Sequence, residues 1–215
     1  MESYVLRVWL PDRPGALGAV ASRIGAVKGD VVGIEILETG AGQAVDELVV
    51  QLPDATLVDL LVAEVRQVDG VQVEEVRSVG PDGHDPRRAT LETAAKLVEA
   101  HDRQGLLAVV RDQAPRSLSA AWTAVVDLEA NVTLAAGDRA PSQDWLAAFV
   151  HGASSAASLG GSDAGSSDVI WTPLTDVGLA IVAGRDRIAW RDRERRELEA
   201  LARIVALRWA EVPPA

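Results

Sequence analysis

Apolar and polar positions alternate from the start of the chain: Tyr4, Leu6, Val8 and Leu10 share one side of a period-two pattern that predicts a strand over 4–10. Pro11-Asp12-Arg13-Pro14-Gly15 breaks it, and the apolar period then lengthens. Leu17, Val20, Ala21 and Ile24 fall at i, i+3, i+4 and i+7, which predicts a helix. Lys28 and Gly29 are read as its end, a cation near the negative pole and a glycine for the left-handed cap. Val31 to Glu38 predicts a second strand, Thr39-Gly40-Ala41-Gly42 a turn, and Val45 to Leu52 a third strand with Leu48, Val50 and Leu52 on one side. After Pro53-Asp54, a second helix sets Leu57, Leu60, Leu61 and Val65 on one stripe; Asp69-Gly70 turns the chain into a fourth strand, Val71 to Val79.

The order is β-α-β-β-α-β. With right-handed crossovers it predicts a ferredoxin-like sandwich, a four-stranded antiparallel sheet with both helices on one face. Residues 81–88, rich in Gly, Pro and charge, read as a linker between a domain over 1–80 and a second over 89–215. The second half opens with a helix whose stripe is Leu91, Ala94, Ala95 and Val98, then a helix through Leu106–Val110. A strand pair follows, 121–128 and 132–137, turned by Glu129-Ala130-Asn131. Then come a helix over 143–157, a Gly/Ser-rich loop over 159–167, and strands over 168–173 and 178–184. A final helix, 194–209, carries Leu198, Leu201, Ala202, Val205 and Trp209 on one face. The chain as a whole is of the α+β class.

Composition narrows the chemistry. The 215 residues carry a net charge of −11 and no cysteine, which excludes disulfides, thiolate metal sites and cysteine nucleophiles. The acidic balance repels a phosphate backbone, so no nucleic-acid partner is expected. No apolar run reaches the ~20 residues of a membrane span, and no signal peptide is recognised, so a cytoplasmic location with no membrane partner is expected. The three histidines, His84, His101 and His151, lie far apart in sequence; no metal and no other cofactor is expected. Phosphate loops, dinucleotide-binding turns and nucleophile elbows are absent from the sequence. Asp46 and Glu47 point to opposite faces of a strand and cannot act together. No catalytic residue is assigned, and a non-enzyme is expected.

Asp12-Arg13-Pro14-Gly15-Ala16-Leu17, between first strand and first helix, resembles the ligand loop of ACT domains. Gly29-Asp30-Val31-Val32-Gly33-Ile34 is similar to the family's exit from helix one into strand two. The resemblance covers residues 3–79. The family commonly carries Asn where Asp12 or Arg13 stands here. The resemblance implies regulatory binding of a small amino acid at Asp12, Arg13, Pro14, Gly15, Ala16 and Leu17, with Val31 and Val32, at an interface between paired ACT domains in a homodimer. The residues agree: Gly15 admits close backbone approach, and free N–H groups at a helix start suit a carboxylate.

Residues 90–209, above all Gly178–Arg185 followed by Trp190, Arg193 and the helix Leu198 to Leu207, resemble a small GAF-like domain. Together the two resemblances imply an allosteric ligand sensor that acts through its dimer state or on a separate target protein. Three rivals compete: a ligand-free dimerisation scaffold, an enzyme using Asp127, His151 and Asp168, and a nucleic-acid-binding regulator using Arg195 and Arg196. The solvated, salt-bridged reading of the arginine-rich last helix is the simpler one.

Overall fold

The computed structural model describes residues 1–79, 86–158, 168–186 and 188–214. Two compact units divide the chain, Met1–His84 and Asp85–Ala215. His84 and the Gly/Ser-rich segment 159–167 lie outside the described residues.

The first unit holds β1 (Glu2–Pro11), α1 (Ala16–Ala26), β2 (Asp30–Gly40), β3 (Gln43–Leu52), α2 (Val58–Val65) and β4 (Gln72–Val79). The sheet is antiparallel with strand order β2-β3-β1-β4. Tyr4, Leu6, Val8 and Leu10 share with Ala44, Leu48, Val50 and Leu52 the side that meets Val20 and Ile24 of α1 and Leu61 and Val65 of α2. This is the ferredoxin-like arrangement that the pattern predicts.

Two details differ from expectation. The left-handed residue after α1 is Lys28 (φ +61), not Gly29. Gly29 is required for a different reason: a Cβ there would lie 2.9 Å from Ile24 Cγ2 and 3.0 Å from the Ile24 carbonyl oxygen, to which Gly29 N–H donates. In α2, Leu61 and Val65 are buried but Leu60 is exposed, because the helix meets the sheet along the 61/65 line only.

The second unit holds α3 (Pro86–Glu99), α4 (Arg103–Asp112), α5 (Ala114–Ser117), β5 (Trp122–Asp127), β6 (Val132–Ala136), α6 (Gln143–Ser158), β7 (Val169–Leu174), β8 (Leu179–Gly184) and α7 (Asp192–Glu211). Its sheet is also antiparallel, in the order β6-β5-β8-β7. Alternation splits each strand between two cores. Val125, Ile181 and Ala183 pack with α3, α4, α5 and α7; Ala124, Val126, Ala180 and Val182 pack with Leu146 and Val150 of α6. The sheet is thus sandwiched between helical layers.

Pro86, Arg87 and Arg88, read as linker, open α3. The buried side of α3 is Thr93 and Leu97, followed by Ala100, while Leu91 and Val98 of the predicted stripe are 72% and 57% exposed. The β8–α7 connection is held by Arg185. Its guanidinium forms a two-pronged pair with Glu194 (2.6 and 2.7 Å) and donates to the carbonyls of Ile188 (3.1 Å) and Ala189 (2.7 Å). It also lies 4.0 Å from the centre of the Trp190 ring. Glu194 accepts the Arg191 N–H as well (2.8 Å), completing a capping box on α7. Arg185, Arg191 and Glu194 are buried, which corrects the expectation that the arginines of this region are uniformly solvated.

Candidate functional site

The predicted loop sits where β1 runs out. Pro11 pairs with Gln43 and Leu10 with Ala44, so the loop lies beside the β2–β3 turn, and Asp12 N–H donates to Gly42 O (3.0 Å) across that gap. Arg13 N–H donates to Pro11 O (2.8 Å), Ala16 N–H to Arg13 O (3.3 Å) and Ala19 N–H to Gly15 O (2.9 Å). These bonds leave the amides of Leu17 and Gly18 without a backbone acceptor among the described residues. No side chain caps the helix either. Gly15 is the N-cap residue, left-handed at φ +89, with open space around the position of a Cβ.

Asp12, Arg13, Pro14 and Gly15 are exposed, Leu17 is half-buried and Ala16 is buried in the core. Arg13 makes no ion pair among the described residues. The arrangement sets unpaired backbone donors in an exposed loop at the positive pole of an eleven-residue helix, suited to an anionic group.

The structure brings residues 12–17 together but leaves Val31 and Val32 elsewhere. Val31 pairs with Val50, at the far end of β2, whereas the loop adjoins the end where Gly40 pairs with Gln43. Seven residues of β3 separate these positions, roughly 24 Å at ~3.4 Å per residue.

Sequence reasoning passed over Asp46. Register places it opposite Val8 of β1 and Ile36 of β2, on the face of the sheet that carries α1. It is only 3% exposed, and its Oδ1 has no hydrogen-bond partner. Burial pushes its carboxyl above the ordinary aspartate range, and the Asp12 carboxylate adds to the push. The signal was present in the sequence: Asp46 interrupts an otherwise apolar side, Ala44, Leu48, Val50 and Leu52.

Glu47 points the other way, as expected. Its Oε1 accepts from Nε (3.0 Å) and Nη2 (2.7 Å) of Arg7, directly opposite on β1, and lies 3.4 Å from Nη2 of Arg77. Arg7 and Glu47 are buried. Their mutual satisfaction makes this a structural pair on the sheet.

Two residues of the rival enzyme site, Asp127 and Asp168, lie toward opposite ends of the second sheet. Asp127 Oδ1 accepts from the amides of Glu129 and Ala130 and so shapes the β5–β6 turn. Asp127 pairs with Leu179, whereas Asp168 lies beside Val169, which pairs with Gly184 at the opposite end of β8. His151 is exposed on α6. On α7, Arg193 pairs with Glu197, and Arg196 Nε donates to the Asp192 carbonyl. Among the described residues, no group of three or more His, Asp or Glu is placed to hold a metal ion, and no helix is long and apolar enough to cross a membrane.

No family model matches the chain, and no curated protein matches it. Among solved structures, it is similar to the ACT domain from the GTP pyrophosphokinase of Chlorobium tepidum, at 16% identity over 37% of this chain and 100% of that one (TM-score 0.30). It is similar to an ACT domain protein from Streptococcus pneumoniae, at 15% identity over 36% of this chain and 89% of that one (TM-score 0.30). A third likeness, to an unknown protein from Galdieria sulphuraria, has 13% identity over 97% of this chain and 94% of that one (TM-score 0.33). The two ACT-domain neighbours are each matched over about a third of this chain.

Proposed function

We propose that the first unit binds a small amino acid at the β1–α1 loop, and that binding alters the state of a homodimer or of a separate target protein. The observation that carries this reading is the uncapped start of α1, where the Leu17 and Gly18 amides have no backbone acceptor among the described residues and Gly15 is exposed and left-handed, in a loop tied to the β2–β3 turn. A ligand carboxylate supplies the acceptor that these donors lack.

The homodimer reading draws on β2, an edge strand on which Val32, Ile34 and Ile36 are about half exposed at 50%, 47% and 53%. An apolar edge strand is a template for pairing. Antiparallel pairing of two β2 strands sets the Val31–Val32 end of one copy beside the Glu38–Gly40 end of the other. That end adjoins the ligand loop, so the eight residues of the expected site then draw on two chains.

We read the second unit as GAF-like on its β6-β5-β8-β7 sheet with α6 on one face and the remaining helices on the other. In this reading it relays or stabilises the assembly, in the cytoplasm, and performs no chemistry. The same β2 edge also favours the alternative of a ligand-free dimerisation scaffold.

A thermal-shift series with each of the twenty amino acids separates the two. A ligand at ~100 times its Kd stabilises the fold that binds it by about 2.7 kcal/mol. One or two stabilising amino acids are expected. Gly15→Asp is expected to silence them, because φ +89 strains any side chain at this position and the added carboxylate repels that of the ligand. A flat response from a well-folded protein favours the scaffold.

A further inference from the structure

We infer that Asp46 receives the ammonium group of the bound ligand, so that the site selects a free α-amino acid over the keto, hydroxy or N-blocked acid with the same side chain. The inference rests on the reading of the β1–α1 loop as a ligand site and adds the group that recognises the other end of the ligand.

Three observations converge on Asp46. It is 3% exposed and has no ion-pair partner among the described residues. Its surroundings on the sheet are apolar: Val8 opposite on β1, Ile36 opposite on β2, and Ala44 and Leu48 two residues either side on its own strand. Its charged neighbour in the loop is Asp12, of the same sign. A buried carboxylate normally has a cation or several N–H donors.

The donors that the fold offers on this face are the first amides of α1, and Leu17 and Gly18 do not donate to Asp46. Asp46 therefore does not serve as the cap of α1. Register sets Asp46 three residues along β3 from Gln43, at the end of the strand that adjoins the loop through the Asp12 N–H to Gly42 O bond.

The chemical class follows from having both the Asp46 carboxylate and the α1 amides. A bare metal ion would find two carboxylates, Asp12 and Asp46, and no third acidic or imidazole group. It would also face the positive pole of α1. A simple carboxylic acid would satisfy the α1 amides but leave Asp46 unpaired. An α-amino acid carries an ammonium and a carboxylate on one carbon. It presents an anion to the helix and a cation to the aspartate at once, and each contact is a charge-assisted hydrogen bond.

The test uses the full chain and isothermal titration with the amino acids that stabilise the wild type. Each is measured beside its α-keto acid and its N-acetyl derivative. Asp46→Asn keeps the shape and removes the charge. The expected result is at least a tenfold loss of affinity for the amino acid in Asp46→Asn, and at least tenfold weaker wild-type binding of the keto and N-acetyl compounds. The variant without ligand is expected to melt at or above the wild-type temperature, since its buried charge is gone.

Equal binding by Asp46→Asn, or equal binding of the keto acid to the wild type, overturns the inference while leaving the loop reading in place. A variant that melts lower or does not fold overturns it too, by making Asp46 structural. If no amino acid binds the wild type, the loop reading fails and this inference fails with it.

Discussion

Replacing Arg185 by Met removes a guanidinium that holds the β8–α7 connection at four points and keeps most of the side chain's length. Lost are the two-pronged pair with Glu194, the bonds to the Ile188 and Ala189 carbonyls, and the face of Trp190 at 4.0 Å. Glu194 stays buried, at 5% exposure, with the Arg191 amide among its donors at 2.8 Å. Breaking a buried pair from one side costs about 3–5 kcal/mol, because the surviving charge is left in the interior. At roughly 2–4 °C per kcal/mol for a chain of this size, the transition of the second unit falls by about 6–20 °C. Arg185→Met combined with Glu194→Met removes the stranded charge as well, and a buried pair replaced by apolar groups of similar volume is neutral or better. The double variant is therefore expected to recover most of the loss, less the connection's two carbonyl bonds. Calorimetry on the full chain measures both, with the two units free to melt separately. A single variant within 1 kcal/mol of wild type, or a double variant as unstable as the single one, refutes the assignment of this pair as the clamp on α7.

Three further expectations follow from packing and charge. Gly184→Ala puts a Cβ 2.2 Å from Trp122 Cζ2, so the indole must shift; a loss of at least ~1–3 kcal/mol and an altered near-ultraviolet tryptophan signal are expected. Leu97→Ala is expected to cost about 2–5 kcal/mol in denaturant titration, while Leu91→Gln on the exposed side of the same helix stays within ~0.5 kcal/mol. Because the Asp46 carboxyl titrates above the unfolded value of about 3.9, folding takes up a proton there. Stability is therefore expected to fall as pH rises from that value through the raised one, and Asp46→Asn to lack this slope in urea titrations across pH.

The fold of the first unit was legible because its strands are half-buried, and a half-buried strand writes its orientation into a two-residue period. Tyr4, Leu6, Val8 and Leu10 need no tertiary information to be assigned to one face. Helices were legible as elements but less so as faces. In α3 the apolar residues occupy more than one stripe, and the choice of Thr93–Leu97 over Leu91–Val98 is made by the docking of α3 against its neighbours, not by local pattern. Lys28 shows the same limit at the level of one residue. A Lys-Gly pair marks a helix end but not which of the two turns left-handed: Lys28 does, while Gly29 fits a space that Ile24 and Leu52 crowd.

The loop was found from its glycine and its place between strand and helix, and both are local properties. Asp46 was overlooked although the same alternation locates it. Opposite faces rule out a joint role for Asp46 and Glu47, yet that argument says nothing about what each meets on its own face. On one, Glu47 meets Arg7, a cross-strand partner forty residues away whose pairing depends on register. On the other, Asp46 meets Val8 and Ile36, and its Oδ1 has no hydrogen-bond partner. A buried acid that the fold satisfies is part of the scaffold, whereas one that it leaves unsatisfied opposes folding at neutral pH. The proposed ammonium partner and a purely structural role predict opposite signs for the Asp46→Asn stability change, so that sign distinguishes the two accounts.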